Sequence, residues 1–182
     1  MNYGMTFVKL IADGLKSEDR EFRKFKNVSS VKGVRFFYED WVRFVVLKQA
    51  LKNNIHCLEF SSGGPDMTIE QNDRVIAAVE LKGPFEIKDP SPGKVLKTYL
   101  DRVLRDFAKQ ARRDKKIQKY VVLLPFGRLE RIKTWLSAKL PSYFRTSGRL
   151  RRIPKPLIEF IQIATEPGSD ADHLAVACFR VG

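Results

Sequence analysis

The feature that most restricts the fold is Val75-Ile76-Ala77-Ala78-Val79, apolar at every position. A strand with one face in water alternates apolar and polar residues. An unbroken apolar run instead predicts a strand covered on both faces, and so an α/β protein with a mixed central sheet flanked by helices. Asn72-Asp73, just upstream, has the chemistry of a two-residue turn, which pairs this strand with Met67 to Gln71 in a β-hairpin. The apolar strand then ends in Glu80-Leu81-Lys82, an acid and a base that burial does not require. Side chains alternate along a strand, so Glu80 and Lys82 project to one side and Leu81 to the other. Gly64-Pro65-Asp66 leads into the partner strand and brings a second carboxylate to the same sheet end. Two carboxylates and an ammonium gathered there form a site for a divalent cation and an attacking water.

The 182 residues suit one domain with a sizeable core, 1–182, in which 1–33 is expected as a helical N-terminal extension. A hydrophobic fraction of 43% with thirteen Phe supports a packed globule. Lys and Arg number 34 against 21 Asp and Glu, a formal charge of +13. That excess favours a polyanionic partner, because each neutralised phosphate releases counterions. Ribosomal proteins and membrane-surface binders share it, so charge alone defines no enzyme. No apolar run is long enough to span a membrane, and Met1 to Met5 lacks the pattern of a signal peptide. Cys57 and Cys178 are isolated, without CxxC spacing, and read as small core residues. The expectation is an intracellular, cytoplasmic protein.

Short helices are predicted over Thr6 to Leu15 and Ser17 to Lys26, followed by a linker from Asn27 to Gly33. A helix from Tyr38 to Asn53 carries Trp41, Val42, Phe44, Val45, Val46 and Leu47, leaves little polar face, and should lie against the sheet. Ile55 to Phe60 reads as a strand and Gly83 to Gly93 as a loop beside the site. Lys94 to Asp114 forms a long amphipathic helix, Tyr120 to Pro125 a buried strand and Leu129 to Leu140 a further helix. Ser142 to Pro156 looks irregular. Leu157 to Thr165 and His173 to Val181 close the chain as two strands around a Gly168-Ser169-Asp170 turn.

Pro65-Asp66 and Glu80-Leu81-Lys82, on a hairpin with a buried second strand, resemble the signature of the PD-(D/E)xK nuclease superfamily. The likeness covers about Glu39 to Phe126, roughly half the chain. It implies an αβββαβ core of restriction-endonuclease-like or resolvase-like fold, with a C-terminal strand pair added here. It also implies Asp66, Glu80 and the Leu81 carbonyl as ligands of Mg²⁺ or Mn²⁺, and Lys82 as the group that positions water or stabilises charge on the phosphate. Hard cations of this kind prefer carboxylate oxygens and keep several waters. A Glu on the first core helix often joins such a site. Glu39 shares a helical face with Arg43, Val46 and Ala50 and is the preferred residue, with Asp40 as the alternative and helix capping open to either.

On the long helix, Arg102, Arg105, Lys109, Arg112, Arg113 and Lys116 form a basic stripe. With Arg149, Arg151, Arg152 and Lys155 it points to phosphate contact. Gln110 matches a RecB-like subfamily feature, but Asp114 stands where that pattern has Tyr. His56 and His173 lack the spacing of a metal pair, no nucleophile-elbow motif occurs, and no phosphate loop signals a nucleotide cofactor. The reading is a metal-dependent endonuclease acting on double-stranded DNA, working as a homodimer. Restriction, resolvase and mobile-element roles all remain open. An inactive nuclease-fold binding module, or a basic RNA-binding protein with an accidental motif, is the alternative.

Overall fold

A computed structural model describes residues 3–24, 39–59, 65–87, 98, 101–105, 116–146, 155–163 and 171–181. The hairpin forms where turn chemistry places it. Strands β2 (Met67–Gln71) and β3 (Arg74–Ile87) are joined by Asn72 and Asp73 at φ 51° and 57°. Both angles are left-handed, a conformation that Asn and Asp tolerate better than most residues and that matches the twist of paired strands. With β1 (Cys57–Glu59), β4 (Gln118–Gly127), β5 (Leu157–Gln162) and β6 (His173–Val181), they build one sheet in the order β1-β2-β3-β4-β6-β5. β3 and β4 run parallel, and every other neighbouring pair is antiparallel. A parallel pair needs a crossover connection. Helix α3, of which residues 101–105 are described, lies in that crossover and buries Val103 and Leu104.

Helices cover both faces. Helices α1 (Tyr3–Lys24) and α2 (Glu39–Lys52) pack on the first face, against Ala77, Val79 and Leu81 of β3 and Tyr120 and Val122 of β4. On the second lie α3, α4 (Leu129–Thr134), a π-helical turn (Trp135–Lys139) and α5 (Leu140–Thr146), over Val121, Leu123, Ala175, Ala177 and Phe179. Because alternate residues of β3 take opposite faces, Ala78, Glu80 and Lys82 belong to the second side. Phe7 meets Tyr120 edge-on at 5.8 Å in one layer, and Phe85 meets Trp135 at 5.4 Å in the other.

Several expectations are corrected. The N-terminal segment is one helix of 22 residues, not two. Its first half fills the core with Phe7, Val8, Leu10, Ile11, Ala12 and Leu15. Charges midway along it are used across elements, Lys16 against Glu159 of β5 and Glu18 against Lys48 of α2 at 2.9 Å. Gly14 permits the α1–α2 approach, since a Cβ there would stand 2.5 Å from Val45 Cγ1. Helix α2 ends as expected at Asn53-Asn54, where Asn53 Nδ2 donates to the Gln49 carbonyl and Asn54 turns to φ 53°. It does not bury every apolar residue: Val42, Val45, Val46 and Ala50 face the sheet, while Phe44 is 55% exposed.

Residues 83–87 are strand rather than loop. After a register shift between Lys82 and Phe85, Phe85 pairs with Pro125 and Ile87 with Gly127, so β4 carries β3 onward. Gly83 takes φ 116° at this irregularity, a backbone conformation that favours glycine, with Leu124 3.2 Å from where a Cβ would stand. The helix that begins at Leu129 continues through the π-helical turn to Thr146, so 142–146 are helical rather than irregular. The predicted linker at 27–33, the 168–170 turn and most of the 94–114 helix lie outside the described residues.

Candidate metal and active site

β3 outgrows its hairpin partner. Its pairing with β2 ends at Met67↔Val79, while it continues to Ile87 beside β4. The candidate residues lie at this notch in the described pairing, where β3 passes the end of β2. One register position beyond Met67↔Val79 places Asp66 across from Glu80. Asp66 Oδ2 accepts the Leu81 backbone N–H at 2.6 Å, a short charge-assisted bond that fixes the carboxylate on the strand edge. In a strand the N–H and C=O of one residue point to the same edge, so the Leu81 carbonyl opens on this notch too. The Leu81 side chain is buried on the opposite side, among the α1–α2 core residues.

Glu80 is only 3% exposed, and Lys82, two residues on, is partly buried. A carboxylate this deep in a sheet is costly unless charge or hydrogen bonds compensate it. The structure thus joins Asp66 to the Leu81 backbone, and Glu80 and Lys82 flank Leu81 on β3. Among the described residues no cluster of three or more His, Cys, Asp or Glu side chains is present. The oxygen donors are two carboxylates and one carbonyl, a set that fits Mg²⁺ or Mn²⁺ with water completing the shell.

Arg43 is a partner of Asp66 that sequence reasoning missed. From α2 its Nη2 donates to Asp66 Oδ1 at 2.7 Å and its Nη1 to Asp40 Oδ1 at 3.2 Å. Arg43 and Asp66 side chains are 16% and 14% exposed, whereas Asp40 is 87% exposed. Asp40 is thus tied outward to the guanidinium at the start of α2. Glu39 opens the same helix, and its side chain lies outside the described part of the structure. The available signal was the shared face of Glu39 and Arg43; the partner of Arg43, 23 residues away, was not legible.

Of the proposed phosphate-binding residues, Arg102 and Arg105 are exposed on α3, and Lys116 and Lys155 are exposed outside it, Lys116 in a turn rather than on the predicted helix. Lys109, Arg112, Arg113, Arg149, Arg151 and Arg152 lie outside the described residues. Glu70 faces His56 at 3.4 Å on the far part of the hairpin. Neither cysteine forms a disulfide, and burial pushes both the Cys57 and Cys178 thiols up to about 12. At neutral pH they are protonated and unsuited to nucleophilic work. No helix among the described residues is long and apolar enough to cross a membrane. No protein-family model, no curated protein and no solved structure matches the chain.

Proposed function

We propose that the protein is a metal-dependent endonuclease that hydrolyses phosphodiester bonds in double-stranded DNA. The observation that carries this reading is the Asp66 carboxylate seated on the Leu81 N–H, one register position beyond the Met67↔Val79 pair. The order α2-β1-β2-β3-α3-β4, with two antiparallel pairings and then a parallel one, supports a restriction-endonuclease-like αβββαβ core. β6 and β5 extend that sheet.

When bound, Mg²⁺ or Mn²⁺ supplies charge neutralisation on the phosphate and an acidified water. Asp66 and Glu80 offer carboxylate oxygens and Leu81 its carbonyl. The Leu81 N–H holds Asp66 in one orientation, so the ligand set is arranged before any cation arrives. Lys82, on the same side of β3 as Glu80, orients a water or stabilises charge on a phosphate oxygen. The basic surface, with Arg102 and Arg105 on α3, holds the DNA backbone. One site cuts one strand, so paired cuts require two protomers related by a two-fold axis.

A second reading, a nuclease-fold module that binds nucleic acid without cutting it, draws on the Arg43–Asp66 ion pair, which already neutralises one ligand. Incubation of purified protein with plasmid, linear duplex, four-way junction, single strand and RNA, in Mg²⁺ or EDTA, separates the two. Metal-dependent cuts within the plasmid or junction support the endonuclease; binding to the same substrates without any cut in Mg²⁺ supports the module.

A further inference from the structure

We infer that Arg43 is a positioning residue that couples cation loading to DNA binding; this rests on the metal-site reading above. The guanidinium sits 2.7 Å from Asp66 Oδ1, and the other oxygen of that carboxylate is held by Leu81. Without a cation, the Asp66 carboxylate is balanced by the Arg43 guanidinium. A divalent cation brought to Asp66 meets the positive charge of Arg43 at close range, in surroundings where both Arg43 and Asp66 are largely buried and poorly screened.

A phosphate changes that balance. When the DNA backbone enters with the cation, its anionic oxygens give the guanidinium a second partner of the geometry it binds best. Asp66 is then shared with the cation at little loss to Arg43. Cation and DNA each favour the other's binding, and by linkage the coupling is the same in both directions. Arg43 therefore keeps the site from loading metal, and from activating water, until a phosphate is present. Asp40, exposed and hydrogen-bonded to the other terminal nitrogen, provides a resting partner on the helix side.

The test is Mn²⁺ titration by calorimetry and by electron paramagnetic resonance, with and without a phosphorothioate duplex that resists cleavage. Wild type, Arg43→Gln, Arg43→Lys and Glu80→Gln are compared, with circular dichroism as the check of folding. Arg43→Gln should bind Mn²⁺ about tenfold more tightly than wild type without DNA, the scale expected for removing one close, partly buried like charge. The duplex should tighten Mn²⁺ binding to wild type and to Arg43→Lys, which keeps the charge, by a larger factor than it does for Arg43→Gln. Binding that Glu80→Gln weakens, yet that Arg43→Gln leaves unchanged, overturns the coupling while the metal site stands. Binding indifferent to Glu80→Gln removes the metal-site reading and the coupling with it. Should Arg43→Gln not fold, Arg43→Lys decides: absence of the DNA-linked gain in that charge-preserving variant contradicts the inference.

Discussion

Asp66 and Leu81, fifteen residues apart, are joined by a 2.6 Å hydrogen bond from the Leu81 backbone to the Asp66 carboxylate. The bond ties the segment before β2 to the continuation of β3, where β2 no longer covers it. It also marks the edge of β3 that the Leu81 carbonyl faces. Two of the proposed oxygen donors, Glu80 and the Leu81 carbonyl, thus lie on β3, and the third, Asp66, is held to that strand by its hydrogen bond.

Gly14→Ala tests the α1–α2 packing. The added methyl would meet Val45 Cγ1 at 2.5 Å, and both residues lie on packed helices. The expected destabilisation is about 1–3 kcal/mol in urea denaturation, with partial recovery in the double variant Gly14→Ala, Val45→Ala. Unchanged stability in the single variant would show that the helices are not so closely apposed.

Asp172 gives a pH dependence with a defined sign. The hydrogen bond with His173 holds its carboxyl below the ordinary value of 3.8, opposed by a smaller effect of burial, and Asp172 also accepts the Leu129 N–H at 3.1 Å. A depressed folded-state pKa means stability fully present above the unfolded value and lost as pH falls through the folded one. Wild type should exceed Asp172→Asn above the ordinary carboxylate value of 3.8, and the margin should shrink as the pH falls below it. Urea midpoints measured across that range provide the check; a margin that grows on acidification contradicts it.

How much was legible follows the range of the interactions. The β2–β3 hairpin was readable because its turn residues, Asn72 and Asp73, act on their own backbone. The end of α2 was readable because Asn53 caps a carbonyl four residues back. The unity of α1 was not, since Lys16 and Glu18 find their partners on β5 and α2, far along the chain. Gly83-Pro84 read as the start of a loop because the pairing of Phe85 with Pro125 depends on a strand distant in sequence. In the site, Asp66, Glu80 and Lys82 carried a short motif, whereas Arg43 carried none. Its contact with Asp66 is set by where the fold places α2.

Thiol reactivity reports on the core. Cys178 lies in the central part of β6 and Cys57 on β1, and burial holds both thiols at about 12. A thiol-exchange reagent at about pH 8 should react slowly with native protein and quickly with both cysteines in urea. Rapid labelling of Cys178 in the native protein would contradict the burial of β6.

The basic face of α3 should be seen in salt dependence. Arg102 and Arg105 are exposed one turn apart. Arg102→Ala with Arg105→Ala should lower the slope of log affinity for duplex DNA against log salt by about one for each phosphate no longer neutralised. An unchanged slope would make these arginines solvated charge only.

The central claim is that Asp66 and Glu80 hold a cation that cuts DNA. The most direct measurement is conversion of supercoiled plasmid to nicked and linear forms in Mg²⁺, for wild type, Asp66→Asn and Glu80→Gln, with matched unfolding curves. Each variant should stay folded and cut at least about a hundredfold more slowly, the scale of removing a group that acts on the transition state, and EDTA should silence wild type. Cleavage at wild-type rate by either folded variant, or cleavage that survives EDTA, would contradict the account.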